Sequence, residues 1–135
     1  MNKTRIAILA ALLISFSSAL MPRALGAEFS VYQVYRPINL GEVEQAPPKD
    51  IFINMGTGDG VKRGSILDVY RKISSFDNLT QKHMGDHLIP VGRVKVIHVE
   101  GHTSIARLDK FVSINEEPAL LPQAVMIGDV VKPVQ

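Results

Sequence analysis

The chain has no cysteine and no tryptophan. An exported chain can use disulfides, but this one has none to form, so a packed core must hold it. Without tryptophan there is no large aromatic platform on which sugars or bases would stack. No segment after the N-terminal run offers an amphipathic helical stripe of ten or more residues, which removes helical bundles and α/β folds from consideration. Lysine and arginine are not clustered, so no stretch reads as an electrostatic footprint for nucleic acid.

What is present begins with an address. Lys3 and Arg5 precede an apolar run over residues 6–20, relieved only by Ser15, Ser17 and Ser18, and small residues follow in "RALGA". This three-part pattern predicts a secretory signal peptide over residues 1–27, cut after Gly26 or Ala27. The run is shorter than the roughly 20 residues of a membrane-spanning helix, so no stable span is expected after cleavage. The absence of cysteine excludes a lipoprotein anchor. The full chain has 15 Lys and Arg against 13 Asp and Glu. The leader carries Lys3, Arg5 and Arg23 and no acidic residue, so the mature chain has a formal charge of −1. About 108 residues remain, enough for one small domain. The expected location is periplasmic or secreted.

The mature chain reads as strands and turns. "FSVYQVYR", residues 29–36, alternates and is rich in β-branched and aromatic residues. Residues 37–50 carry Pro37, Gly41, Pro47 and Pro48 and form a loop. "IFINM", residues 51–55, and "SILDVYRKI", residues 65–73, are the next strands. Residues 74–90 show no period and read as a long exposed loop, with room for a helical turn over 79–84. "VGRVKVIHV" and "TSIARLDK" form a hairpin around a three-residue loop, Val99, Glu100 and Gly101. That register sets His98 opposite His102, Val96 opposite Ser104 and Val94 opposite Ala106 on the inner face. Ile97 with Thr103, Lys95 with Ile105 and Arg93 with Arg107 form the wet face. "VMIGDVVKPV" closes the chain, with Gly128 at a bend. The fold class is all-β: a small barrel or sandwich of about five to seven mainly antiparallel strands. A strand and Pro-rich loop over 28–50 precede a barrel domain over 51–135.

"NMGTGDGVKRGS", residues 54–65, holds four glycines in twelve residues. It is neither of the two phosphate-binding loops it evokes. No glycine pair has the Walker spacing with lysine next, and the third glycine of a dinucleotide fingerprint arrives one position early. Period-two alternation comes next, so no helix supplies a dipole for a pyrophosphate. No nucleotide or other cofactor is therefore expected. The backbone reading makes the stretch a structural turn. Gly60 takes positive φ, the Asp59 side chain bonds the nearby backbone, Gly64 allows a second bend, and Val61 tucks under the loop.

Asn54, Gly56, Asp59, Gly60, Val61 and Gly64 form a pattern, N-x-G-x-x-D-G-V-x-x-G between two strands. It resembles a unit of small β modules in bacterial envelope proteins, above all the C-terminal domain of flagellar assembly protein T, and also the β domains of the rod-shape protein MreC. "VGRVKVIHVEGHTSIARL" resembles the hairpin of that module and "IGDVVKP" its closing strand, so the likeness spans residues 51–133. The long 74–90 segment and the lack of a large partner domain depart from it. "VYRPINLGE" and "PPKDIFINMG" also resemble small uncharacterised exported proteins of predatory and related bacteria. The resemblance implies a periplasmic assembly role, and a fold alone does not imply a function.

Candidate chemistry is sparse. His83 and His87 are spaced for zinc on a helix, but Gly85 interrupts that helix and a third ligand is not evident. His98 and His102 facing across the hairpin form a second weak pair. Cross-strand polar residues at a rim explain both, and no metal site is expected. There is no G-x-S-x-G elbow, and Asp59, Asp68 and Asp129 stand singly as turn or edge residues, so no catalytic residue is assigned. The 74–90 loop mixes Phe76, Leu79 and Met84 with charges and is the candidate contact surface, because loops on rigid β scaffolds carry binding. The expected function is a non-enzymatic module acting through contacts with envelope proteins. The alternatives are a carbohydrate or peptidoglycan binder and, last, a small metallohydrolase.

Overall fold

The computed structural model describes residues 28–41, 44–120 and 122–134. The predicted leader, residues 1–27, lies outside them. Six strands run in order: β1 (Val31–Tyr35), β2 (Asp50–Ile53), β3 (Ile66–Asp77), β4 (Lys82–Val99), β5 (Ser104–Phe111) and β6 (Val130–Pro133). A three-residue 3-10 turn, Thr57–Asp59, is the only helical element among the described residues. The fold is all-β, as the alternation in the sequence predicts.

All six strands form one antiparallel sheet in the order β1-β2-β5-β4-β3-β6. The sheet rolls until its ends meet at a single bridge, Ser30 to Val130. There Val31 N–H donates to Asp129 O at 2.9 Å, Gly128 N–H to Val31 O at 2.8 Å and Val131 N–H to Phe29 O at 2.8 Å. The result is barrel-like without a continuous ladder between β6 and β1. The rolled inner face is where period two sends the β-branched side chains. Ile51 and Ile53 of β2, Leu67 and Val69 of β3, Val94 and Val96 of β4, Ala106 of β5 and Val131 of β6 are buried together. Asp68, Arg93 and Lys95 alternate with them on the outside. Each large apolar side chain contributes about 1.5–3 kcal/mol of gross transfer free energy.

Two sequence expectations are corrected. The β4–β5 loop spans four residues, 100–103, closed by Glu100 N–H donating to Thr103 O at 2.8 Å. Val99 pairs with Ser104, His98 with Ile105, Val96 with Ala106, Lys95 with Arg107 and Val94 with Leu108, with irregularities at Ile97 and Asp109. From Val94 to Val96 the register is displaced by two residues, and beyond each irregularity by three. The even displacement keeps parity at the centre, and the extra residue at Ile97 restores it toward the loop, so Val94, Val96, Ser104 and Ala106 still face inward. Loop length is set by docking: Thr57 N–H donates to Glu100 O at 2.8 Å and Gly58 N–H to Gly101 O at 3.1 Å. His98 and His102 do not face each other.

The second correction concerns residues 74–90, which are not a loop and carry no helical turn. β3 continues to Asp77, β4 starts at Lys82, and the two pair from Ile66–Lys95 out to Asp77–Lys82. The signal was hidden because the extension leaves Phe76, Met84 and Leu88 exposed among polar neighbours and holds an irregularity at Met84, where Ser75 pairs with Gly85 but Phe76 with His83. That extra residue reverses parity and erases the period.

Candidate functional site: a projecting arm and the groove at its base

The neighbours of β3 and β4 stop short of their shared hairpin. β6 covers β3 only over residues 67–70, and β5 covers β4 only over 92–99. Residues 71–89 therefore stand out from the rolled sheet as a two-stranded arm. A lone hairpin is marginal in water, so this one needs local bonds. At its tip the Asp77 carboxylate accepts from Leu79 N–H at 2.9 Å and from Thr80 Oγ1 at 2.7 Å. Gln81 N–H donates to Asp77 O at 2.8 Å, and Gln81 Nε2 to Asn78 O at 2.9 Å. The Thr80 hydroxyl, then the Leu79 amide, hold the Asp77 carboxyl below the usual carboxylate range. The tip thus satisfies its own polar groups and presents a side chain outward: Leu79 is 95% exposed. Phe76 and Met84 behind it are 57% and 63% exposed.

One face of the arm carries a knot around Asp86. Ser74 Oγ donates to Asp86 Oδ1 at 2.6 Å, His83 Nε2 lies 3.2 Å from the same oxygen, and Lys72 Nζ lies 3.4 Å from Oδ2. Ser74 first, then His83 and Lys72, hold this carboxyl below its ordinary value. The Phe76 ring packs on His83 with centroids 5.1 Å apart. Serine, histidine and aspartate meet here without forming a relay, because the carboxylate accepts from both others instead of orienting an imidazole between them. On the opposite face Ser75 Oγ is 3.1 Å from His87 Nε2, and no carboxylate bonds that imidazole. His83 and His87 are not brought together, and no cluster of three metal-capable side chains occurs among the described residues.

At the base of the arm, where β5 ends, lies an open groove of about 790 Å³. Tyr70, Leu88, Pro90, Phe111 and Val112 line it together with the charged Arg93, Lys110, Glu116 and Glu117. Asp68 holds Arg93 at 2.8 Å, and Lys132 Nζ sits 5.4 Å from the centre of the Tyr70 ring. The aromatic content of this groove is not visible in the sequence, where Tyr70 and Phe111 stand 41 positions apart.

The arm is anchored by a pair that sequence reading missed. Asp129 is 3% exposed. Its carboxylate takes Arg71 Nε and Nη2 at 2.9 Å each and Met126 N–H at 2.8 Å. Arg71 also donates to Ala124 O at 2.6 Å and Pro122 O at 3.1 Å, and the bond to Asp129 raises its pKa further. Asp129 is a buried staple, not an edge residue, and the fork geometry explains why arginine fills position 71.

The glycine-rich turn lies at the β4–β5 end of the sheet. Asn54 Oδ1 accepts from Ser30 N–H at 2.6 Å, tying the turn to the chain before β1. Asp59 Oδ2 accepts from Gly56 N–H at 3.0 Å. Gly60 and Gly64 have φ of 86° and 89°, and Val61 is 3% exposed. Gly56 has ordinary extended φ; its need is space, because a Cβ there would run into Glu100 O and Gly101 O. The amides of residues 56–61 all have protein acceptors, so they form no free N–H row for a phosphate.

No protein-family model and no curated protein matches the sequence. Among the described residues no helix is long and apolar enough to cross a membrane.

Proposed function

We propose that the protein is an exported β module that works in the bacterial cell envelope through protein contacts, in a structural or assembly role, with the arm as its contact surface. Export rests on the leader pattern of residues 1–27. The assembly role rests on the resemblance of residues 51–133 to envelope β modules, including the motor-associated one. The observation that carries the contact reading is the arm. It projects from a packed scaffold, is anchored by Arg71–Asp129, caps its own tip, and leaves Leu79 bare to solvent. An apolar anchor with a polar surround is the anatomy of a protein interface. Apart from Arg71, which Asp129 neutralises, the arm's charges are balanced, Lys72 and Lys82 against Asp77 and Asp86, which suits a protein better than an anionic bilayer.

The test removes the arm without disturbing its base. Lys72 pairs with Leu88, so an Asn-Gly turn joining those two residues replaces 73–87 and keeps register. The trimmed protein retains its β circular dichroism and loses the envelope proteins that the intact protein captures. Capture unchanged by the trimming would refute the arm as the contact surface, and a mature protein that fractionates with the cytoplasm would refute export.

A further inference from the structure

We infer that the arm exchanges with the arm of a second copy, each Leu79 seating in the groove at the base of the other's arm. The inference rests on reading the arm as a contact surface and names its partner. The tip is an apolar knob and the groove a mixed one, apolar and charged: Leu79 is 95% exposed, while Tyr70, Leu88, Pro90 and Phe111, together with Arg93, Lys110, Glu116 and Glu117, line about 790 Å³ of open space. A tip cannot fill its own groove. β4 is continuous from Lys82 to Pro90, which at about 3.3 Å per residue sets tip and groove up to roughly 25 Å apart. A second arm can. β5 stops at Phe111 opposite Gly92, Val112 N–H still donates to Val91 O at 3.1 Å, and from Pro90 outward no described strand lies on the outer edge of β4. An arm laid antiparallel along this vacant edge brings its tip to where β5 ends, which is the groove. The same operation carries the first tip into the second groove, as a two-fold interface requires.

Charge and edge chemistry agree. Lys82, beside the tip, has no ion-pair partner among the described residues, and neither do Glu116 and Glu117 of the groove lining, which outnumber the one unpaired cation there, Lys110. Seating Leu79 carries Lys82 toward those carboxylates on its flexible stem. Both copies use the same edge of β4, and the two-fold contact occupies it in each, so exchange closes at two copies.

Sedimentation velocity on the mature protein, up to millimolar concentration, tests the inference. Wild type sediments as a dimer at high concentration. Leu79→Asp removes both seated leucines of the dimer and weakens association by about a hundred- to ten-thousandfold, and Phe111→Ala opens both grooves with a similar loss. Mixing the two variants restores a heterodimer, because one copy keeps an intact groove and the other an intact tip. Circular dichroism checks that each variant is folded; if Phe111→Ala is not, Leu88→Ala replaces it. A wild type that stays monomeric throughout, a Leu79→Asp variant that dimerises as tightly as wild type, or a mixture that associates no better than either variant alone each overturns exchange. A monomeric wild type whose arm still captures a different envelope protein, or binds lipid vesicles, overturns it too; the first leaves the contact reading standing and the second removes both.

Discussion

Replacing Gly56 by alanine separates the two reasons a turn can need glycine. The φ of Gly56 is −133°, which any residue adopts. A methyl group there meets Glu100 O, Gly101 O at 2.6 Å and the Gly101 carbonyl carbon at 2.7 Å. These are backbone atoms of a closed four-residue loop and have little room to give. The turn must lift, which breaks Thr57 N–H to Glu100 O at 2.8 Å and Gly58 N–H to Gly101 O at 3.1 Å. Two such bonds are worth about 1–3 kcal/mol together. Partial exposure of Met55 and Val61, now 1% and 3% exposed, adds about 1 kcal/mol. The expected loss is about 2–4 kcal/mol. Gly60 is the opposite case: φ is 86° and nothing lies within 4 Å of a new Cβ. Alanine there carries only the left-handed backbone term, about 1–2 kcal/mol. Urea unfolding followed by circular dichroism, with unchanged m, measures both. A Gly56→Ala loss smaller than that of Gly60→Ala would refute the close-approach account.

Asp129→Ala leaves the Arg71 guanidinium and the Met126 amide unsatisfied, and should cost about 2–4 kcal/mol in urea; replacing both members of the pair by Leu and Met should recover much of it. In the arm, Asp77 and Asp86 have folded pKa values below their unfolded ones, so their contribution is complete above the ordinary carboxylate pKa of about 3.9 and is lost only as pH falls through the depressed values. Amide exchange at Leu79 should therefore stay flat from neutral pH down to about 4, after correction for intrinsic rates, and a transition within that range would refute the carboxylate account. Ile53→Ala, at a fully buried position of β2, should cost about 2–5 kcal/mol of stability by thermal melt.

Features set by period two and by turn chemistry were legible in the sequence. Leu67, Val69, Val94, Val96 and Ala106 alternate with polar neighbours, so their shared inner face could be read, and Asp59-Gly60 marked its turn. The hairpin register could not, because the length of the 100–103 loop is decided by the Thr57 and Gly58 amides, some 43 positions earlier. The arm escaped for a local reason. Ser74, Ser75, Asp86 and His87 bond across the hairpin instead of burying an apolar face, and the extra residue at Met84 breaks the alternation. Phe76, Leu79 and Met84 stood out as a mixed apolar and charged set, but only pairing turns them into an arm. Arg71–Asp129 joins residues 58 apart, and no local pattern announces such a pair.

The contact reading is tested most directly in the cell of origin. A photo-crosslinking residue at position 79, at the tip, is compared with one at position 49, on the exposed chain before β2. The account predicts a discrete crosslinked envelope product from position 79 and none from position 49. Products from position 49 alone, or none from either with the protein exported and folded, would contradict it.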